Sequence, residues 1–421
     1  MIFITVKTTL EYQYDSHECE ETHIEYTDVV GLQQINEELV IYYFSKCRDE
    51  STQFSNIVVN YSSNSTNEED YHNIMTKINI TSNKYLFIIN PVAGSGKGNT
   101  VFTDKIKCIF DKSLHTFQTD CTTSKENIEE ILKLRKDPIN TNNNIDTFKA
   151  IIVVGGDGTV FDVVQAMKQL DINIPIAIIP VGSGNGLAKS IMGKTSFSPT
   201  VIDYVHKILQ GETRKLDVSL CKGNLLDDSV YSILGQAWGM PSDVDIKSEY
   251  LRWMGNLRFT VQTVVELYNM NTYSGVLRYL PHSNKTKELI TQARKSGLDC
   301  DNLSEWKSIK GRFIMIWACQ TPYMTDDTLV APDAKLDDGK IHLVIIKSDK
   351  DKPMSRYQLL TLFLDLENGK HVDSDFVEII PALGYDLTVK KTESGHITVD
   401  GELVDYTKLS VMMDDQIDII Y

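Results

Sequence analysis

Between Lys84 and about Leu209, short continuous apolar runs alternate with stretches whose apolar residues recur at helical spacing. "YLFIINP" leads into a glycine-rich turn and the segment "FTDKIKCIF", and Glu126 to Lys136 is periodic. Then come "AIIVVGGDG", a periodic stretch from Thr159, "IPIAIIPVGSGN" and a further periodic stretch from Gly186. Apolar strands separated by helices predict a mostly parallel sheet covered on both faces. Past Leu216 the pattern changes to "VYSILGQAWG", "GVLRYLP", "GRFIMIWACQT", "KIHLVIIKS", "VEIIPALGYDLTVKK" and "HITVDGELVD". These are strand-like segments with turn residues between them, and only Tyr250 to Leu267 is helically periodic, so an antiparallel β-sandwich is expected. The charged, Asn-rich stretch 282–310 is expected to be a flexible insertion. Alternating patches near the start, "IFITVKTTLEYQY" and "ELVIYYFSK", predict a few antiparallel strands before the polar stretch 60–73. The expected organisation is a small β-rich appendage over 1–80, an α/β domain over 81–215 and a β-sandwich domain over 216–421.

Charge narrows the partners. The 421 residues carry a formal net charge of −16, and residues 1–80 hold 14 Asp and Glu against 4 Lys and Arg. A nucleic-acid binder would need clustered cations, so that class is excluded, and attraction to anionic lipid would have to be hydrophobic. Seven scattered cysteines show neither zinc-ligand spacing nor the density of a disulfide scaffold, which fits a reducing cytosol. The N-terminus lacks a basic n-region, and no run approaches the roughly 18 apolar residues of a membrane span. A cytoplasmic protein is the expectation.

Three glycine-rich turns each follow an apolar strand: "NPVAGSGKG" from Asn90, "GGDGT" from Gly155 and "PVGSGNGLA" from Pro180. At the carboxyl ends of parallel strands, glycines let a backbone approach phosphate and helix N-termini favour anions. One such turn is an ordinary tight turn; three in one α/β unit point to a nucleotide. The first is not a Walker loop, because Lys97 lacks the following Ser or Thr, and "GSGKGN" is not a dinucleotide fingerprint. Asp157, between glycines at a strand end, is placed to accept a proton or hold a metal beside a phosphate; the plainer alternative is a helix cap.

In content, order and spacing the three turns resemble the diacylglycerol-kinase-type catalytic domain of lipid kinases. With "SILGQAWGMPSDVDIKSEYLRWMGNLRFT" (Ser232 to Thr260) and the late "VDGE" from Val399, the chain resembles the sphingosine kinases in particular. The resemblance implies an ATP- and Mg²⁺-dependent enzyme that phosphorylates the primary hydroxyl of a sphingoid base. It assigns Asn90, Gly94, Ser95, Gly96, Lys97, Thr122, Gly156, Gly158, Gly182, Ser183 and Asn185 to the nucleotide. Arg252 and Arg258 are assigned to its phosphates, and Asp157 to the acceptor hydroxyl. Asp400, Gly401 and Glu402 are expected near nucleotide and metal, with Asp157 and Asp400 as candidate metal ligands. Asp162 stands where the family usually has Glu, and Trp253 replaces a second basic residue. Asp245 corresponds to the residue that holds the lipid's polar head, and an acid there suits a protonated amine.

A long-chain substrate demands an apolar slot, expected between the sandwich sheets and lined by residues such as Ile233, Leu234 and Phe259. The apolar positions Val261, Val264, Val265 and Leu267 are candidates for reversible contact with a membrane, a buried helix face being the rival reading. Similar kinases pair through sheets of the catalytic domain, so a homodimer is a further expectation. The competing activities are ceramide or diacylglycerol kinase on the same fold, NAD kinase, and a sensor that has lost turnover.

Overall fold

The computed structural model describes residues 3–9, 19–25, 28–35, 38–46 and 52–60, and most of 82–421, apart from 137–143, 196–197, 224–228, 255–256, 296–302, 349–352, 391–394 and 406. The polar stretch 61–81 lies outside the described residues. Near the start, β1 (Phe3–Thr9) and β2 (Cys19–Glu25) pair as antiparallel strands, and β3 (Val29–Ile35), β4 (Glu38–Lys46) and β5 (Thr52–Asn60) form a three-stranded antiparallel sheet. The acidic segment is therefore β-rich, as its alternation predicts. Its three-stranded sheet is also built into the main core, because Val30, Val40, Tyr42 and Phe44 join the cluster that holds the parallel strands.

The parallel half comprises β6 (Lys84–Ile89), β7 (Thr116–Cys121), β8 (Ala150–Gly155) and β9 (Ile176–Pro180), in the order β7-β6-β8-β9. Its helices are α1 (Lys125–Lys136), α2 (Asp157–Gln169), α3 (Gly186–Met192) and α4 (Val201–Gln210), with a broken helical stretch over 93–112 between β6 and β7. All six residues of β8 are buried, which explains why its sequence runs continuously apolar instead of alternating. On α2, Val160, Val163, Val164 and Met167 turn inward.

The antiparallel half contains β10 (Thr213–Lys222), β11 (Ser229–Ser232), β12 (Gly235–Gly239), β13 (Tyr273–Pro281), β14 (Lys307–Cys319), β15 (Ile341–Ser348), β16 (Val377–Val389), β17 (Ile397–Val399), β18 (Glu402–Val404) and β19 (Lys408–Ile420). Two long strands make it a sandwich. The first part of β14 pairs with β13 and its last part with β12 and β15, while β16 pairs first with β15 and then with β13 and β19. Each crosses from one sheet to the other, with a register shift at Phe313/Met315 where β14 takes up β15, the corner-turning device of packed sheets. A parallel bridge between Ile176 of β9 and Ile419 of β19 joins both halves into one continuous sheet.

The strand-only reading of this half misses helices. Besides α6 (Leu257–Asn269), it carries α5 (Met240–Lys247), α7 (Asn284–Lys295) and α8 (Arg356–Asp365). Part of the stretch expected to be a flexible insertion is thus α7, with Ile290 buried against Leu280 and Leu383. The overlooked signals were local: Ser355 and Gln358 form a capping box at the start of α8, and Pro241 opens α5.

Candidate active site

The three glycine-rich turns meet at the carboxyl ends of β6, β8 and β9. Asn90 ties the first to the second, its side-chain amide donating to Thr159 Oγ1 at 2.8 Å. Gly94 has φ +57°, and a Cβ there would fall 1.7 Å from the carbonyl oxygen of Val181, so the first turn packs on the third as only glycine permits. A Cβ on Gly182 would lie 2.5 Å from Gly156 Cα, which brings the second and third turns into contact. By contrast, a Cβ on Gly96 would have nothing nearer than Pro91 O at 4.0 Å, and one on Gly158 would meet only Glu402 Oε1 at 3.5 Å. Some of the glycines close the turns on one another; these leave an open backbone face of the kind that phosphate needs.

Asp157 sits in this mouth. Its oxygens accept the backbone N–H of Gly186 at 2.9 Å and of Leu187 at 3.1 Å, at the start of α3. Burial pushes its carboxyl up to about 6 against the pull of those two donors, and the charges of Asp400 and Asp326 add to the rise. A carboxylate so tuned is ionised at neutral pH yet basic enough to take a proton.

The other predicted residues divide. Lys97 is exposed beside the first turn, Thr122 is buried with its N–H on the Ile89 carbonyl, and Ser183 is half-buried in the third turn. Asn185 holds its own turn: its Oδ1 accepts from Gly182 N–H and its Nδ2 donates to the Gly182 carbonyl, so its side chain is a staple more than a nucleotide contact. The side chains of Ser95 and Arg252 lie outside the described residues.

The opposite wall comes from the sandwich half. Asp400 (φ +49°) and Gly401 (φ +85°) form the two-residue turn between β17 and β18, a primed hairpin geometry that favours Asp-Gly. The Asp400 carboxylate accepts from Ser232 Oγ at 2.6 Å and from the N–H groups of Ile233, Leu234 and Gly235. Three of these donors meet Oδ1 and one meets Oδ2, so residues 232–235 orient the carboxylate that was expected beside a metal. Among the described residues no three His, Cys, Asp or Glu side chains are grouped to hold a metal.

Asp245 on α5 faces the same turn: a Cβ on Gly401 would come within 3.5 Å of its Oδ2. Arg258, at the start of α6 and 9% exposed, donates Nη1 to Glu249 at 2.5 Å and places Nη2 3.9 Å from Asp245. Its guanidinium lies over the Phe259 ring. The arginine expected on phosphate is thus held by two carboxylates. Ile233 and Leu234, expected to line a lipid slot, are packed in the main core, and Phe259 is partly buried against it. Val261, Val264 and Val265 are exposed, as are Leu257, Tyr268 and, on the neighbouring α8, Leu360 and Leu364. Leu267 is buried, which corrects its placement on that outward face.

Sequence reasoning missed Asp326, whose N–H donates to the Gly184 carbonyl at 2.7 Å. It also missed Glu249 and the buried partners of Asp243. "DVD" shows two acids but not which of them faces the core.

Residues 84–221 match the diacylglycerol kinase catalytic domain, and residues 238–414 match the YegS C-terminal NAD kinase beta sandwich-like domain. Sphingosine kinase 1 of Arabidopsis thaliana is 28% identical over 349 residues, covering 76% of this chain and 68% of the relative. Sphingosine kinase 1 of Homo sapiens is 26% identical, with 76% and 86% covered. A putative diacylglycerol kinase from Bacillus anthracis superposes with a TM-score of 0.55 at 17% identity, over 80% of this chain and 97% of that one, which establishes a shared fold. With both halves matched in order and the glycine turns assembled around one carboxylate, this chain carries a diacylglycerol kinase catalytic domain followed by a YegS-type β-sandwich domain, and it is similar along most of its length to relatives named sphingosine kinases.

Proposed function

We propose that this protein transfers the γ-phosphoryl group of ATP to the primary hydroxyl of a sphingoid base such as sphingosine. The observation that carries the reading is the pairing of two carboxylates across one mouth. Asp157 sits among the phosphate turns, its acidity reduced to about 6, and Asp245 lies on the facing wall beside the Asp400–Gly401 turn. Asp157 accepts the hydroxyl proton as the oxygen attacks phosphorus, and Asp245 pairs with the protonated amine that distinguishes a sphingoid base from ceramide or diacylglycerol. Bound MgATP supplies the transferable phosphoryl group and the cation that screens its charge. The open faces at Gly96 and Gly158 make room for the phosphates, and Arg258, beside Asp245 and over the Phe259 ring, is the cation assigned to them.

The exposed apolar side chains of α6 and α8 suit a working position at a membrane surface, reached reversibly from the cytoplasm. No helix among the described residues is long and apolar enough to cross a membrane. The same reading divides the chain near residues 80 and 215 into appendage, nucleotide domain and lipid domain.

The test is transfer of label from γ-labelled ATP to sphingosine, ceramide and diacylglycerol offered side by side. Labelled sphingosine alone is the expected result. Labelling of ceramide or diacylglycerol alone overturns the substrate, and no labelling of any lipid favours a sensor.

A further inference from the structure

Asp243 lies two residues before Asp245 on α5 and is 2% exposed. A carboxylate offers about four acceptor positions, and all four are filled. Oδ1 accepts the backbone N–H of His396 at 3.0 Å and its ring Nδ1 at 2.7 Å. Oδ2 accepts the Tyr273 hydroxyl and Lys247 Nζ, the latter at 2.9 Å. Lys247 also reaches Glu266 of α6 at 3.2 Å, and Glu266 accepts from Gln262 at 2.8 Å. Burial opposes the charge on Asp243, yet the donors from His396, Tyr273 and Lys247 hold its carboxyl down at about 2.

His396 is the unusual member. Its Nδ1 must carry a proton to donate to the carboxylate, its carbonyl accepts the N–H of Gly239 just before α5, and it stands four residues before Asp400. The neighbouring backbones touch, because a Cβ on Gly395 would lie 2.9 Å from Gly239 Cα. The start of α5 and the strand leading into the Asp400–Gly401 turn are therefore joined at one buried acid.

Helix geometry says what this join controls. Residues two apart on an α-helix point about 200° away from each other. Anchoring Asp243 on the buried side of so short a helix fixes its rotation, and rotation decides where Asp245 points on the other side. We propose that Asp243 and His396 are positioning residues that hold Asp245 and the Asp400–Glu402 turn in one frame, so that the acceptor lipid is presented at a fixed place to Asp157. The proposal rests on Asp245 facing the acceptor.

The experiment compares full-length wild type, His396→Ala, Asp245→Asn and the double variant. It uses whichever of sphingosine, ceramide and diacylglycerol the wild type phosphorylates, so a wrong substrate assignment is seen first and separately. His396→Ala is expected to raise KM for the lipid about fivefold to tenfold with KM for ATP unchanged, and to add nothing further in the Asp245→Asn background. His396→Gln, which can restore a side-chain donor, is expected to recover most of the loss. Tyr273→Phe, which removes a different donor from Asp243, is expected to give a smaller change in the same direction and keeps the test open if His396→Ala folds poorly. The proposal is overturned if both KM values rise together, if neither moves, if Asp245→Asn leaves the lipid KM at the wild-type value, or if His396→Ala multiplies the lipid KM equally in both backgrounds.

Discussion

The two walls of the mouth are built in different ways. On the parallel side, local backbone does the work: glycines at strand ends pack the turns together, and Asp157 is held by two N–H groups at the start of α3. On the sandwich side, buried side chains far apart in sequence do it. Asp400 secures residues 232–235, and Asp243 gathers α5, β13 and the entry to β17. The first wall is closed by backbone packing of one glycine turn on another, whereas the second depends on side-chain charges brought together by the whole fold. Substitutions on the first should abolish chemistry, and those on the second should shift lipid recognition.

The sharpest break is Asp157→Asn, expected to lower kcat by about 10²-fold or more with the fold intact by circular dichroism. Next comes pH. In the proposed role Asp157 takes the proton in its ionised form, and burial pushes its carboxyl up to about 6, so kcat/KM for the lipid should fall about tenfold per pH unit below that value and level off above it. An acid limb near 4 instead would remove Asp157 as the base. Asp245→Asn should raise KM for an amine-bearing lipid about tenfold while leaving KM for ATP in place, which separates the walls kinetically.

A smaller effect is expected outside the mouth. Val264→Glu, on the exposed side of α6, should weaken co-sedimentation with phosphatidylcholine vesicles several-fold and leave turnover of detergent-dispersed lipid unchanged. The least functional consequence is assigned to the appendage. Asp203 of α4 accepts the N–H of Thr52 at 2.7 Å and caps its own helix through Thr200, and Asp28 meets His206 at 3.0 Å. Asp203→Ala should cost about 1–2 kcal/mol of stability, read by thermal unfolding, with kinetic constants near wild type.

Glycine chemistry made the first wall legible without coordinates, because a residue needing φ above zero or a close backbone approach announces itself in sequence. Gly94 and Gly182 stood in turns that the sequence singled out. The second wall was legible only in outline. "VDGE" stood out as a late acidic pair, but nothing in it revealed that Asp400 would accept hydrogen bonds from residues more than 160 positions earlier. Arg258 looked like a phosphate ligand, and only its neighbours Glu249 and Asp245 showed which charges it meets without one. Ile233 and Leu234 were expected in a lipid slot on their apolarity, and the fold buries both in the main core.

By itself the sequence determined the alternation of strand and helix, the change to antiparallel strands, the three turns and the acid between glycines. These depend on neighbours within a few residues, through periodicity and backbone sterics. Only the tertiary structure decided that the acidic appendage joins the main core, that β14 and β16 cross between sheets, and that Asp243 of "DVD" is a buried anchor. Those outcomes depend on contacts between residues tens to hundreds of positions apart, where burial and charge pairing set roles that no local pattern carries.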